Sequence, residues 1–316
     1  MKKFLKNIIY LCCLLILLSF LFQGIISLRI KGKTVTGHDN LEQTANVNAD
    51  LVFIGSSRCL AHFDPAFFDS TFKLKSINIG VIGHSEISMA IIRLEDYLSR
   101  NKPPSSVIFS FDPFCSPNTF SNNSNFIIKN DFSRYAFFPS KMDLPIVNYF
   151  RFNFCEKYVP MYALFKYHLL ADAITLTNVD NSAILGYQME VAKWDTITNP
   201  VTDFQKRNFF KISDVSAITN SLDSLKKLCG HYNIKLLCIQ TPVYKIIYND
   251  SIFSETNKIC NNINIPMIDL NEEHIRNNIT YFSNSNHLNK SGVDEMNTLL
   301  KKDSLLTSFL QNTNRE

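Results

Sequence analysis

The sequence predicts an α/β fold, in which a three-layer α/β/α domain surrounds a mostly parallel five-stranded sheet and one transmembrane helix precedes it. Two observations carry this prediction. Short apolar runs that end near glycine, proline or aspartate alternate with amphipathic helical segments, a pattern typical of a parallel sheet covered on both faces. A long uncharged apolar run also stands near the start of the chain, and the 316 residues are enough to bury a sizeable core.

Five runs are predicted to be strands because each is short, apolar and bounded by turn residues. They are residues 50–55, 74–79, 106–111, 234–240 and 265–270. Apolar residues at helical spacing predict helices over residues 85–100 with Ser85 as N-cap, from Ser213 to Gly230, and over residues 290–302. Residues 114–212 lack this rhythm and are predicted to be an insertion of short helices and loops within a domain of residues 50–316.

The N-terminal run from residue 7 to residue 28 carries no charge. A helix needs about 20 apolar residues to cross a bilayer. A cleaved signal peptide is the alternative, but it has an apolar core of about 7–15 residues and a small-residue cleavage site, and no such site follows Ser27. We therefore predict a cytoplasmic stub and membrane anchor over residues 1–28, followed by a polar linker over residues 29–49.

The orientation of this anchor depends on the charges that flank it. Three lysines precede the run and three basic residues follow it, so the positive-inside rule is nearly balanced. The N-terminal amine favours a cytoplasmic N-terminus. The folded domain is then expected in the periplasm or outside the cell, with the membrane as its first partner.

Composition and cysteine spacing exclude several classes of protein. Apolar residues make up 46% of the chain and charged residues 19%, which excludes disordered and fibrous proteins. The net charge of +4 is spread along the chain, so no nucleic-acid partner is expected. The eight cysteines have no zinc spacing, and neither a metal nor a cofactor is predicted. Cys229 and Cys238 are expected to be buried thiols, and disulfides among the others stay open.

The candidate site follows from the predicted sheet, because ligand sites in parallel sheets lie at the carboxyl ends of the strands. Ser57 follows the first strand, where backbone N–H groups favour developing negative charge. His287 precedes the last helix, and a histidine can take a serine proton and return it to a leaving group. Each residue alone is more typical of a turn or a cap.

Taken together, these segments resemble the SGNH (GDSL-type) hydrolase family. Gly55-Ser56-Ser57 is similar to the first family block, which implies that Ser57 is the nucleophile. The run from Asn78 to Gly83 is similar to the second block, which implies an oxyanion hole formed by the N–H groups of Ser57 and Gly83. Asn284-Ser-Asn-His287 resembles the last block, which implies that His287 is the base.

The run from His287 to Gly292 also resembles that of membrane-anchored members acting on cell-surface polymers. The resemblance covers roughly residues 50–113 and 214–302.

This chain departs from the family pattern at two positions. Asn284 stands where the family has the aspartate that orients the histidine, and Asp269 at the end of the fifth strand is an alternative orienting group. Asp112 follows the third strand, where the family has an oxyanion asparagine. Asp112 and Arg58 are expected to contact substrate or to form a structural ion pair.

Two functions are consistent with these residues. The first is a membrane-anchored serine esterase or O-acyltransferase, acting through a Ser57–His287 dyad on acyl esters of an extracytoplasmic glycan. The second is a catalytically degenerate protein of the same fold, which binds a glycan or supports a membrane acyltransferase or a polymer-assembly complex. The retained serine and histidine favour the first function, and the replaced aspartate favours the second.

Overall fold

The computed structural model describes residues 2–30, 44, 46–82, 85–115, 154–166, 170, 185–201 and 209–311. The chain divides into two compact units. One combines Met1–Glu42 with Phe120–Asn181, and the other combines Gln43–Thr119 with Ser182–Glu316. We call them the anchor unit and the body.

The body is built on a five-stranded sheet in the order β2-β1-β3-β4-β5, and all its paired strands are parallel. The strands are β1 (Leu51–Ile54), β2 (Ser76–Asn78), β3 (Ser106–Ser110), β4 (Lys235–Gln240) and β5 (Met267–Asp269). Each strand falls inside its predicted run, so the predicted sheet is confirmed. The strand order reverses between β1 and β3, and ligand sites in open α/β sheets lie at such a switch point.

Helices flank the sheet and one long helix opens the chain. In chain order they are α1 (Lys2–Ile30), α2 (Ser57–His62), α3 (Pro65–Phe72), α4 (Ile87–Leu98), α5 (Phe154–Tyr158), α6 (Tyr162–Lys166), α7 (Val215–His231), α8 (Asp250–Asn262), α9 (Glu273–Arg276), α10 (Lys290–Lys302) and α11 (Ser304–Gln311). Helices α1, α5 and α6 belong to the anchor unit and the others to the body.

Two apolar cores lie on the two faces of the sheet. Successive side chains of a strand point to opposite faces, and β1 contributes Val52 and Ile54 to one core and Leu51 and Phe53 to the other. Helices α4, α7 and α8 cover the first face, and α2, α3, α10 and α11 cover the second. The predicted three-layer architecture is therefore confirmed.

The helix starts differ from the predictions. Helix α4 begins after Glu86, whose side chain makes no capping bond, rather than after Ser85. Helix α7 begins at Val215, after a short 3-10 turn, and continues past Gly230 to His231. Helix α10 has the predicted bounds. A two-stranded antiparallel hairpin, β6 (Phe282–Asn284) and β7 (His287–Leu288), precedes it and was not predicted.

Helix α1 is long and apolar enough over Lys2–Ile26 to cross a membrane, with a mean hydropathy of 2.5. Its large apolar side chains are mostly exposed. Of the predicted insertion, α5 and α6 are short helices, and residues 116–153 lie outside the described residues. Cys229 and Cys238 are buried free thiols, which confirms that prediction.

Candidate active site

A tight turn places Ser57 at the carboxyl edge of the sheet. Gly55 has φ of +146°, and a Cβ atom there would lie 2.9 Å from the Cβ of Cys59, so only glycine fits. Ser56 then caps α2, its hydroxyl accepting a hydrogen bond from the Arg58 N–H at 3.1 Å. Ser57 is the first residue of α2 and is partly exposed, so its hydroxyl lies at the predicted edge.

The hairpin places His287 opposite this serine. The side-chain Oδ1 of Asn284 accepts hydrogen bonds from the backbone N–H groups of Asn286 at 3.1 Å and His287 at 3.0 Å, which closes the turn between the two strands. Asn289 caps α10 and donates from its amide to the Phe282 carbonyl at 3.1 Å. The hairpin is thereby attached to the first turn of α10.

The two predicted catalytic residues are in contact. His287 Nε2 lies 2.9 Å from Ser57 Oγ, and His287 Nδ1 lies 3.1 Å from Asn284 Oδ1. The two backbone N–H groups identify the Asn284 atom as the oxygen, so Nδ1 carries the ring proton and donates it. The lone pair of Nε2 then faces the serine hydroxyl, which is the tautomer a general base requires.

The surroundings of His287 favour its neutral form. Burial, with a further contribution from the Arg58 cation, lowers the pKa of His287 to about 4. The ring is therefore unprotonated at neutral pH and free to accept a proton. The imidazolium that follows has only the Asn284 amide beside Nδ1, because no carboxylate is bonded to this nitrogen among the described residues.

Arg58 and Asp112 form a buried ion pair behind the serine. Arg58 Nη1 lies 3.2 Å from Asp112 Oδ1, and the two side chains are 2% and 3% exposed. Asp112 also accepts the hydroxyl of Ser56. Burial raises the pKa of Asp112, opposed by Arg58 and Ser56. Both side chains are closed to solvent, which favours the structural pair over a contact with substrate.

Residue His62 contributes to the site and was not predicted. Its Nε2 accepts the Leu288 N–H at 2.9 Å, and its Nδ1 lies 2.8 Å from Thr241 Oγ1. Because Nε2 is an acceptor, Nδ1 carries the proton and donates to the threonine. Burial, followed by the charges of Arg58 and His287, lowers the pKa of His62 well below 6.5. This neutral ring ties β7 to the end of β4.

Arg58 contacts the same threonine. Its Nη2 donates to the Thr241 carbonyl at 2.5 Å and to Thr241 Oγ1 at 2.8 Å. Arg58 and His62 are four residues apart on α2, so they share one face of the helix. That spacing of an arginine and a histidine along α2 is the signal in the sequence that points to His62.

The predicted alternative orienting group, Asp269, is hydrogen-bonded elsewhere. The Asp269 carboxylate accepts the N–H and the side-chain amide of Asn271, at 3.0 and 2.8 Å, and burial raises the pKa of Asp269. Asn284, and not Asp269, contacts His287. Gly83 lies outside the described residues, so the oxyanion pair of Ser57 and Gly83 stays a prediction.

Comparisons with known proteins find distant likeness to solved structures. No family model and no curated protein matches the chain. A "putative acylhydrolase" from Bacteroides fragilis is 13% identical, with a TM-score of 0.42, over 86% of this chain and 95% of its own. A GDSL-like lipase from Bacteroides thetaiotaomicron is 12% identical, with a TM-score of 0.37, over 80% of this chain and 85% of its own.

The body itself shows an α/β fold with an all-parallel five-stranded sheet. Identities and TM-scores this low assign neither a family nor an activity to this chain. The chemistry of the site is therefore argued from its own distances.

Proposed function

We propose that this protein is a membrane-anchored SGNH-like serine esterase or O-acyltransferase that acts on acyl esters of an extracytoplasmic glycan. The observation that carries the proposal is the 2.9 Å contact between His287 Nε2 and Ser57 Oγ. The Nδ1 atom of the same ring is held by Asn284. A serine, a correctly oriented histidine and a third group that orients it are the parts required for acyl transfer.

In the proposed reaction, Ser57 Oγ attacks the ester carbonyl carbon and its proton passes to His287 Nε2. The carbon–oxygen bond to the leaving alcohol breaks, and that alcohol takes the proton from Nε2. Water or a sugar hydroxyl then attacks the acyl group on Ser57 and gives its proton to the same nitrogen. This proton returns to Ser57 as the acyl group leaves, so water gives hydrolysis and a sugar gives transfer.

The negative charge on the carbonyl oxygen needs donors in the first step. Ser57 lies in the first turn of α2, where backbone N–H groups lack intrahelical partners. We assign the oxyanion contacts to the N–H groups of Ser57 and Gly83, the latter on the family resemblance. Arg58 neutralises the nearby Asp112, which reduces the repulsion that this carboxylate would exert on the oxyanion.

The choice of substrate class rests on the anchor and on a sequence resemblance. Helix α1 would hold the body at a membrane surface, where extracytoplasmic glycans are accessible. The run from His287 to Gly292 resembles that of anchored family members acting on cell-surface polymers. We therefore propose an O-acylated polysaccharide as the substrate, on the side of the membrane that faces away from the cytoplasm.

The test is hydrolysis of p-nitrophenyl acetate, and of an O-acetylated polysaccharide, by the full chain in detergent micelles. Ser57→Ala and His287→Ala should each lower turnover by at least about 10²-fold, the lower range for loss of general acid–base catalysis. Ser70→Ala and His274→Ala are matched controls, because both residues are exposed and belong to the body. Both controls should keep the wild-type rate.

The second candidate function is favoured by Asn284, which replaces the charged partner of the histidine. On this view the protein binds a glycan, or supports a membrane acyltransferase or polymer assembly, without chemistry of its own. Equal rates for wild type, Ser57→Ala and His287→Ala would reject the esterase. Retained binding of the polysaccharide by all three proteins would then favour the degenerate protein.

A further inference from the structure

An apolar groove of about 520 Å³ lies within the anchor unit, between α1 and the segment that contains α5 and α6. Helix α1 contributes Leu15, Leu18, Ser19 and Phe22, a spacing that forms one stripe along the helix. The Ser19 hydroxyl donates to the Leu15 carbonyl at 2.8 Å, so its polar hydrogen is already satisfied. The groove thus suits an apolar occupant.

The segment that closes the groove is tied to α1 by a hydrogen bond. Gln23 is 7% exposed, and its Oε1 accepts the Met161 N–H at 2.8 Å. Met161 has a left-handed backbone with φ of 65°, at the turn between α5 and α6. An unpaired amide group costs several kcal/mol in hydrocarbon. This bond pairs the side-chain oxygen of Gln23 on α1 with the backbone N–H of Met161. The contact is therefore compatible with a lipid environment.

Residues 154–166 carry exposed aromatic side chains, one of which, Phe165, also lines the groove. Phe154, Tyr158 and Phe165 are 71%, 55% and 61% exposed. Glu156 is buried and its carboxylate lies 2.5 Å from the Lys166 ammonium, so this acid is neutralised within the segment. Aromatic residues are typical of membrane interfaces, and paired charges are the form in which ions are tolerated there.

The depth of the groove follows from its position on α1. Leu15 precedes Ile26, the end of the candidate span, by about 16 Å at a rise of about 1.5 Å per residue. That is about half of a hydrocarbon core roughly 30 Å thick. If α1 spans the bilayer, a segment packed against Leu15 and Phe22 lies in the half of the bilayer nearer the linker. A groove open at that depth faces acyl chains.

We propose that residues 154–166 enter the membrane beside α1 and that the groove between them is filled by an acyl chain of a bilayer phospholipid. This inference rests on the proposed anchor role of α1 and is independent of the esterase chemistry. It makes part of the predicted insertion a second membrane contact. The insertion then holds the protein at the bilayer through two elements instead of one.

The test uses tryptophan fluorescence of the full chain in phosphatidylcholine vesicles whose acyl chains carry bromine, a short-range quencher. The chain has one tryptophan, so Trp194→Phe supplies a background. Phe165→Trp reports the segment and Phe20→Trp reports the anchor, both at exposed positions. Ile197→Trp, at a site 89% exposed in the body, gives the value for a side chain in water. Vesicles without bromine give the unquenched signal.

We expect the Phe165→Trp protein to be quenched as strongly as the Phe20→Trp protein, and the Ile197→Trp protein to be unquenched. Quenching at position 20 without quenching at position 165 would overturn the proposal and leave the anchor intact. Absence of quenching at both positions would overturn the anchor and the proposal together. Ester hydrolysis is measured separately, so its failure is distinguishable from either result.

Discussion

At the residue scale, the amide of Asn284 determines what the dyad can do. Its Oδ1 accepts from His287 Nδ1 at 3.1 Å, which fixes the tautomer as an aspartate would. It brings no negative charge, and burial together with Arg58 lowers the pKa of His287 to about 4. Asn284 thus provides orientation without stabilising the imidazolium by charge.

Asn284→Asp restores that charge with little change in shape. A carboxylate at this distance should raise the pKa of His287 by about 1–3 units. Turnover of p-nitrophenyl acetate should rise by between about 10-fold and 10⁴-fold, the upper bound being the cost of the reverse change in a serine protease triad. Asn286→Asp, two residues from Asn284 in the same turn, is the control. If turnover by Asn284→Asp equals that of wild type, the stability of the His287 imidazolium does not limit the reaction.

The pH dependence of turnover follows from the same pKa. A general base works only when unprotonated, so wild-type activity should be level through neutral pH. It should fall as the pH drops through about 4, the pKa of His287. In Asn284→Asp this acid limb should move to higher pH. If the acid limb of the pH profile does not move in Asn284→Asp, the limb reports the titration of a group other than His287.

The residues that could be predicted from sequence are those that stand next to recognisable patterns. Ser57 follows an apolar run and a glycine, and His287 precedes an amphipathic helix, so their places relative to the first strand and the last predicted helix were foreseeable. His62 was missed because it looks like the end of a short apolar helix. Its partners, Thr241 and the Leu288 N–H, are distant in sequence and known only from the fold.

At the element scale, the hairpin and α10 position His287, the proposed base. Gly292 lies in the first turn of α10, and a Cβ atom there would be 2.1 Å from the Tyr281 carbonyl oxygen. The helix therefore packs directly on the backbone that leads into β6. The sequence predicted α10 from its apolar spacing, but not the hairpin, because strands of two and three residues are too short to produce a periodic pattern.

Gly292→Ala should push α10 away from the hairpin. Overpacking of this kind typically lowers the free energy of unfolding by about 1–3 kcal/mol, and turnover should fall because His287 moves relative to Ser57. Gly230→Ala is the matched control: a Cβ atom there meets nothing within 4 Å, and alanine in a helix should stabilise by about 0.5–1 kcal/mol. Urea unfolding measures both. Equal stability of the two variants would contradict the close approach.

At the scale of the whole molecule, the site is where four parts of the chain converge. Strand order brings the ends of β1 and β3 together. Helix α2 carries Ser57 and His62, Thr241 directly follows β4, and the hairpin carries His287. Apolar runs predicted the strands, but the strand order and the buried polar contacts depend on tertiary packing. Burial among these contacts lowers the pKa of His62 and of His287, so both rings are neutral inside the body.

Neutral buried histidines make stability depend on pH. In the folded state the pKa of His62 lies well below 6.5, so below about pH 6.5 the unfolded chain binds a proton that the folded body does not. The free energy of unfolding therefore falls as the pH drops below that value, by up to about 1.4 kcal/mol per pH unit for one such group. Carboxyl groups in the body add their own slope, which is the same in a variant that alters His62 alone.

His62→Gln removes this proton and keeps a neutral side chain that can hydrogen-bond. At neutral pH the variant should be less stable by about 1–3 kcal/mol, because its contacts to Leu288 and Thr241 are impaired. As the pH falls, wild type should lose stability faster, so the two curves of unfolding free energy against pH converge.

Trp194 donates its backbone N–H to the Phe282 carbonyl next to the hairpin, and its fluorescence during urea unfolding reports the body. His231→Gln, with an exposed ring, should run parallel to wild type. If stability falls with pH equally in His62→Gln and in wild type, His62 binds its proton equally in the folded and unfolded states. That result would contradict the burial of this ring between Thr241 and Leu288.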